Sequence, residues 1–231
     1  EVNRLATDAI SDFCFLTEPS ALFNLKREGF DESKMFFVGN TMIDSLEFAI
    51  ESSKNQEIYK ENSKKDFLLL TMHRPSNVDE KDQLESMVDT FLEISKKIRV
   101  IFPVHPRTKN SLVKFNLYSK LENNENIELL GPLGYLDFLA LMQIAKVVLT
   151  DSGGIQEETT KLLVPCITLR TSTERPITIS EGTNSLVNPD RTSILKEFEK
   201  VINNKFKNGT VPKLWDGKAS ERICKIICDL I

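Results

Sequence analysis

Short apolar runs recur along this chain with helix-like segments between them, and that rhythm restricts the possible folds more than any other feature. Residues 13–16, 35–38, 67–71, 100–103, 127–130, 147–149 and 166–169 read as strands. Between and after them, residues 21–26, 42–53, 80–97, 111–118, 136–145, 192–203 and 218–230 read as helices, with one more opening after Ser152-Gly153-Gly154. The segment 80–97 is the clearest: Leu84, Met87, Val88, Phe91, Ile94 and Ile98 recur at three- and four-residue steps and form one apolar stripe. No hairpin turn separates the strands. Strand and helix in alternation predict parallel strands joined by right-handed crossovers, and runs apolar on both sides predict a sheet covered on both faces.

The predicted class is therefore α/β: a Rossmann-like parallel sheet with helices on both faces. Residues 1–55 hold only two strands, too few for a domain, and are expected to be the closing part of a truncated N-terminal Rossmann-like domain. The chain starts at Glu1 without a methionine, which fits a fragment or a processed chain. Residues 54–65 are almost all polar, so 56–65 is expected to be a linker. Residues 66–231 make one complete Rossmann-like domain.

Composition excludes several function classes. A net charge of −4 with no basic stripe argues against nucleic acid and anionic membrane as partners. No apolar run approaches membrane-spanning length and no signal-peptide pattern opens the sequence, so a cytoplasmic location is expected. Cys14, Cys166, Cys224 and Cys228 lie in apolar surroundings and are expected to pack as reduced core residues, the last two on one helix face. With two histidines in all, a His-rich zinc site is not expected, and no metal is assigned.

The chemistry concentrates at strand ends. Leu149-Thr150-Asp151-Ser152-Gly153-Gly154-Ile155-Gln156-Glu157-Glu158 joins a buried strand to a helix. Such a turn leaves backbone N–H groups unpaired and aligned, glycine lets a ligand approach, and the helix start adds partial positive charge, so the segment suits phosphate. Taken alone it reads more readily as a glycine turn whose acids cap a helix, and the other strand ends shift that balance. Other strand ends carry Met72-His73-Arg74-Pro75-Ser76-Asn77, Val104-His105-Pro106-Arg107, Gly131-Pro132-Leu133-Gly134-Tyr135 and the stretch 170–176. Ligands of open α/β sheets bind on that rim. Arg175 could make paired hydrogen bonds to phosphate, or be a loop arginine paired with Glu174 or another acid. His73 could donate to a diphosphate or act as acid or base, or simply cap the strand end. Tyr135 or Phe138 could stack on a flat base, although Phe138 also suits a helix core.

Glu1-Val2-Asn3-Arg4, Gly39-Asn40-Thr41-Met42-Ile43-Asp44, Thr71-Met72-His73-Arg74, Asp151 to Glu158, Thr173-Glu174-Arg175-Pro176 and Asp216-Gly217-Lys218-Ala219-Ser220 occur in this order. Together they resemble the non-hydrolysing UDP-N-acetylglucosamine 2-epimerase family over essentially the whole chain. The resemblance implies the second half of a two-domain glycosyltransferase-B-type fold and an isomerase that needs neither metal nor nicotinamide. It implies interconversion of UDP-N-acetylglucosamine and UDP-N-acetylmannosamine by elimination and re-addition of UDP, in a protein that is a homodimer at full length. On matching positions it assigns the diphosphate to Ser152, Gly153, Gly154 and Arg175, the ribose to Glu158, the uracil to Leu133 and Phe138, and departure of UDP to His73. Residues 66–231 thus become a UDP-binding domain. The carboxylates that handle the C2 proton would precede Glu1, which matches only the last residue of a family Pro-Glu-Glu. The chain departs from the family at Ser76, where some members have Glu, and at Leu163-Val164-Pro165, where some have Gly-Lys-Pro. Other readings are a UDP-sugar glycosyltransferase or a hydrolysing epimerase of the same fold and, as a different class of function, a non-catalytic sugar-nucleotide-binding module.

Overall fold

The computed structural model describes residues 2–230, so Glu1 and the reading placed on it lie outside the described residues. The chain forms two compact units: residues 1–48 with 211–231, and residues 49–210.

In the first unit, α1 (Val2–Ile10) precedes β1 (Cys14–Leu16), α2 (Pro19–Arg27), β2 (Met35–Phe37) and most of α3 (Thr41–Lys54). β1 and β2 pair in parallel around Leu16, Leu25 and Met35. The C-terminal segment belongs to this unit: Trp215, 2% exposed, donates its indole N–H to the Thr17 carbonyl at 3.0 Å. Gly39 has φ +90°, and the Leu214 carbonyl lies where a side chain would stand, so only glycine fits there.

The second unit holds β3 (Phe67–Thr71), β4 (Arg99–Pro103), β5 (Ile127–Leu130), β6 (Val147–Thr150), β7 (Cys166–Leu169) and β8 (Asn184–Val187) in one sheet of order β5-β4-β3-β6-β7-β8. Every neighbouring pair is parallel. Its helices are α4 (Glu57–Asn62), α5 (Pro75–Val78), α6 (Lys81–Ile94), α7 (Pro106–Lys114), α8 (Tyr118–Glu122), α9 (Tyr135–Ile144), α10 (Gly153–Leu162), α11 (Ile177–Ser180) and α12 (Arg191–Ile202). The apolar stripe predicted on α6 is buried, with Leu84, Met87, Val88, Phe91 and Ile94 packed over Leu68, Val100 and Phe102. The strand order reverses between β3 and β6, the place where such a sheet opens a crevice beyond its carboxyl ends. The predicted fold class is the one found.

Three details differ from the sequence reading. The polar stretch 56–65 is not an open linker: it carries α4, which packs against α9 in the same unit. The closing helix α13 (Ala219–Leu230) groups with the first unit, because Asp44 accepts the N–H groups of Ala219 and Ser220 at 3.0 and 2.7 Å and so caps it. Cys224 and Cys228 are exposed on that helix; of the four cysteines only Cys166 is fully buried.

α10 ends on Leu163 in the left-handed conformation (φ 57°), where the resemblance has glycine in some members. A leucine pays steric strain there that glycine avoids, and this side chain is half exposed. Leu163→Gly is therefore expected to raise stability by about 1 kcal/mol, read as a higher urea midpoint.

Candidate functional site

The crevice between β3 and β6 is organised by one carboxylate. Thr71 and Thr150 are register partners, so the residues that follow them leave the sheet side by side. Asp151 is fully buried there. It accepts the backbone N–H of His73 at 3.1 and 3.0 Å, that of Arg74 at 2.8 Å and the Asn77 side-chain amide at 3.1 Å. The His73 ring joins it, Nδ1 to Oδ1 at 3.0 Å. Burial works against ionising Asp151, but these donors together hold its carboxyl below the usual carboxylate range. In return, the hydrogen bond to Asp151 lifts the His73 imidazole above its ordinary pKa, against partial burial and the charges of Arg74 and Arg107. His105 stacks obliquely on His73, centroids 5.3 Å apart, while its Nδ1 accepts the Arg107 N–H at the start of α7.

Beyond Asp151 comes the glycine turn. The Ser152 side chain makes no capping bond to α10, and Ser152, Gly153, Gly154 and Ile155 are all partly exposed, so the first N–H groups of the helix stay open. A Cβ on Gly153 would meet Arg175 Nη1 at 2.8 Å, so this guanidinium lies directly over the turn. Arg175 does pair with acids, as one sequence reading allowed: Nε is 2.8 Å from Glu157 and Nη1 is 3.6 Å from Glu174.

The loop carrying Arg175 is pinned by a buried polar network. Gln156, within the first turn of α10, donates to the Ser152 carbonyl and accepts from Thr173 Oγ1 (2.7 Å) and the Asn184 amide (3.1 Å). Thr173 Oγ1 also takes the Arg175 N–H, and Thr168 donates to Asn184 at 2.6 Å. Glu158 is 7% exposed and receives the Tyr135 hydroxyl at 3.0 Å. Burial raises the Glu158 carboxyl pKa, and the tyrosine bond and neighbouring Glu157 act in opposite senses on it. Tyr135 itself is pushed upward by burial beside that acid. Leu133 and Phe138 are half-buried at the start of α9.

The structure thus gathers His73, Ser152, Gly153, Gly154, Glu158 and Arg175 along the ends of β3, β6 and β7. Sequence reasoning passed over Asp151 as an organiser, and over Gln156 and Arg170. An acid ending one buried strand opposite a histidine ending its neighbour was the available signal for the first. An arginine directly continuing the apolar run 166–169 was the signal for the last. A cavity of about 190 Å³ opens on this rim against Arg74, Asn77 and Arg170. A larger one, about 630 Å³, opens at the opposite edge, before β6, β7 and β8, away from the glycine turn and Arg175. Among the described residues, no group of three or more His, Cys, Asp or Glu side chains could hold a metal ion, and no helix is long and apolar enough to cross a membrane.

A parallel sheet of this order, with an open glycine-rich helix start at its reversal point, defines a Rossmann-like α/β protein with its candidate site at that point. The sequence profile described as UDP-N-acetylglucosamine 2-epimerase matches residues 1–228, and the chain belongs to that family. The UDP-N-acetylglucosamine 2-epimerase of Methanocaldococcus jannaschii is 43% identical over 234 residues, covering 98% of this chain and 63% of that protein. A Pseudomonas aeruginosa UDP-2,3-diacetamido-2,3-dideoxy-D-glucuronate 2-epimerase is 34% identical, covering 100% and 63%. The crystal structure of the M. jannaschii enzyme in complex with UDP-GlcNAc and UDP superposes with a TM-score of 0.86 at 42% identity, covering 99% of this chain and 64% of that one. The chain spans a little under two thirds of the length of these relatives.

The His73–Asp151 pair has a pH signature. Protonated His73 contributes its stability in full below its unfolded pKa, roughly 6.5, and that contribution is lost as pH rises through the raised folded value. Ionised Asp151 contributes above its unfolded value, roughly 3.9, and the contribution is lost as pH falls through the lowered folded value. Urea midpoints measured from pH 5 to 9 should therefore decline on the alkaline side, and Asp151→Asn should flatten that decline.

Proposed function

We propose that this chain is the nucleotide-binding part of a non-hydrolysing UDP-N-acetylglucosamine 2-epimerase, interconverting UDP-N-acetylglucosamine and UDP-N-acetylmannosamine. The observation that carries the reading is the uncapped start of α10 lying beneath Arg175 at the reversal point of the sheet. The diphosphate accepts hydrogen bonds from the Ser152 hydroxyl, which makes no capping bond, from the backbone N–H groups of Gly153 and Gly154 and from the Arg175 guanidinium, which exchanges a carboxylate partner for phosphate. Glu158 accepts from the ribose, trading the Tyr135 hydroxyl for a sugar hydroxyl. Leu133 and Phe138 flank the uracil.

Epimerisation at C2 proceeds by loss of the C2 proton and departure of UDP, followed by return of UDP and protonation from the other face. The groups that move the C2 proton are not among the residues assigned here. What this site supplies is stabilisation of the leaving group. His73, whose pKa the Asp151 hydrogen bond raises, presents Nε2 to the diphosphate oxygen on which negative charge grows as the C1–O bond breaks. A donor fixed in advance at that oxygen lowers the barrier in both directions. The same leaving group serves a UDP-diacetamido-uronic acid substrate, and the identity to the Pseudomonas enzyme supports that as a second reading. The cytoplasmic setting expected from the sequence and the full-length homodimer go with either reading.

Isothermal titration of the chain with UDP is expected to show binding, and Arg175→Ala to remove most of it; unchanged affinity would strip Arg175 of its role. Gly153→Ala places a methyl against the mobile end of Arg175 rather than against backbone. It should therefore leave the melting temperature nearly unchanged while lowering UDP affinity about tenfold or more. In a full-length protein containing this chain, absence of turnover between the two UDP-sugars in a coupled assay would exclude the epimerase reading.

A further inference from the structure

Two guanidiniums, not one, converge on the start of α10. Arg170 follows β7, and its side chain is 7% exposed. Its Nη2 donates to Glu174 Oε1 at 2.6 Å, whereas its Nη1 is buried with no hydrogen-bond partner. That Nη1 lies 3.7 Å from where a Cβ on Gly153 would stand, on the same side as Arg175 Nη1. A cation buried with an unmade hydrogen bond is costly, and such groups persist where a later arrival completes them.

Glu174 shows what that arrival is. Its carboxylate is paired with Arg170 and lies 3.6 Å from Arg175, so one exposed anion faces both guanidiniums beside the open helix start. The bond from Arg170 drags its carboxyl down to about 2, which keeps it an anion at any working pH. Glu174 is 65% exposed and can return to water with little desolvation, while Arg170 is walled in. Of the two partners, only the carboxylate is free to leave.

We propose that Arg170 is a second guanidinium ligand of the nucleotide diphosphate, and that Glu174 holds its place as a resident anion which the diphosphate displaces. This rests on the UDP reading above and adds to it a residue and an exchange. Glu157, the other acid on Arg175, is 8% exposed and remains in place as an orienting partner.

The test is a pair of substitutions with opposite expected signs, measured on the 231-residue chain by titration with UDP and, for comparison, with uridine by saturation-transfer NMR. R170Q should weaken UDP binding about tenfold or more and leave uridine binding unchanged. E174Q should tighten UDP binding several-fold, because the competing charge is gone. A merely structural Arg170–Glu174 pair would instead weaken binding in both variants, and that result overturns the inference, as does UDP affinity unchanged in R170Q. Should R170Q fail to fold by circular dichroism, E174Q alone decides, and unchanged or weaker UDP binding overturns the exchange. Failure of the unmodified chain to bind UDP would overturn the nucleotide reading itself, a result distinct from the others.

Discussion

The buried carboxylate of Asp151 is the interaction on which the rest of the site depends. Two parallel strands that end together leave backbone N–H groups with nowhere to donate, and an orphaned buried donor is not tolerated. Asp151 answers that need at the end of β6 by taking the N–H groups that follow β3. The same oxygens fix the His73 ring and the Asn77 amide. A structural staple and an electrostatic setting for the histidine are thus one object. A neutral amide in its place would lose one acceptor to a donor, weakening the turn and removing the charge that raises the His73 pKa.

The second half of the crevice is built differently, from neutral groups. Gln156, Thr168, Thr173, Thr178 and Asn184 form a closed set of hydrogen bonds that locks the stretch 170–176 to the first turn of α10. Charged residues then project from a loop whose place those bonds already fix, so an anion bound there, as proposed above, would meet a preordered surface. The ion pairs of that loop join buried or part-buried arginines to Glu157 and Glu174 and orient the guanidiniums over the glycine turn.

Periodicity made the sheet and α6 legible, because strands apolar on both faces and a helix with one apolar stripe have no competing interpretation. It missed β8, whose Asn184 is buried as a hydrogen-bonding partner of Thr168 and Gln156 rather than as an apolar residue. It also mistook the polar run around α4 for a connector, since a helix with one narrow contact face leaves a weak pattern. For the site, the glycine turn and Arg175 could be found because their residue types are special. Arg170 left a weaker signal, an arginine continuing an apolar run, and its burial with one nitrogen unsatisfied shows only in the structure.

The cap that Asp44 places on α13 reaches across 175 positions of sequence. Residues 49–210 form a compact unit of their own, inserted between the two stretches that make up the other. A substitution at Trp215 or Ala219 therefore acts on the packing of residues 1–48, through the Thr17 carbonyl and the Asp44 carboxylate, and not on the nearer neighbours in sequence.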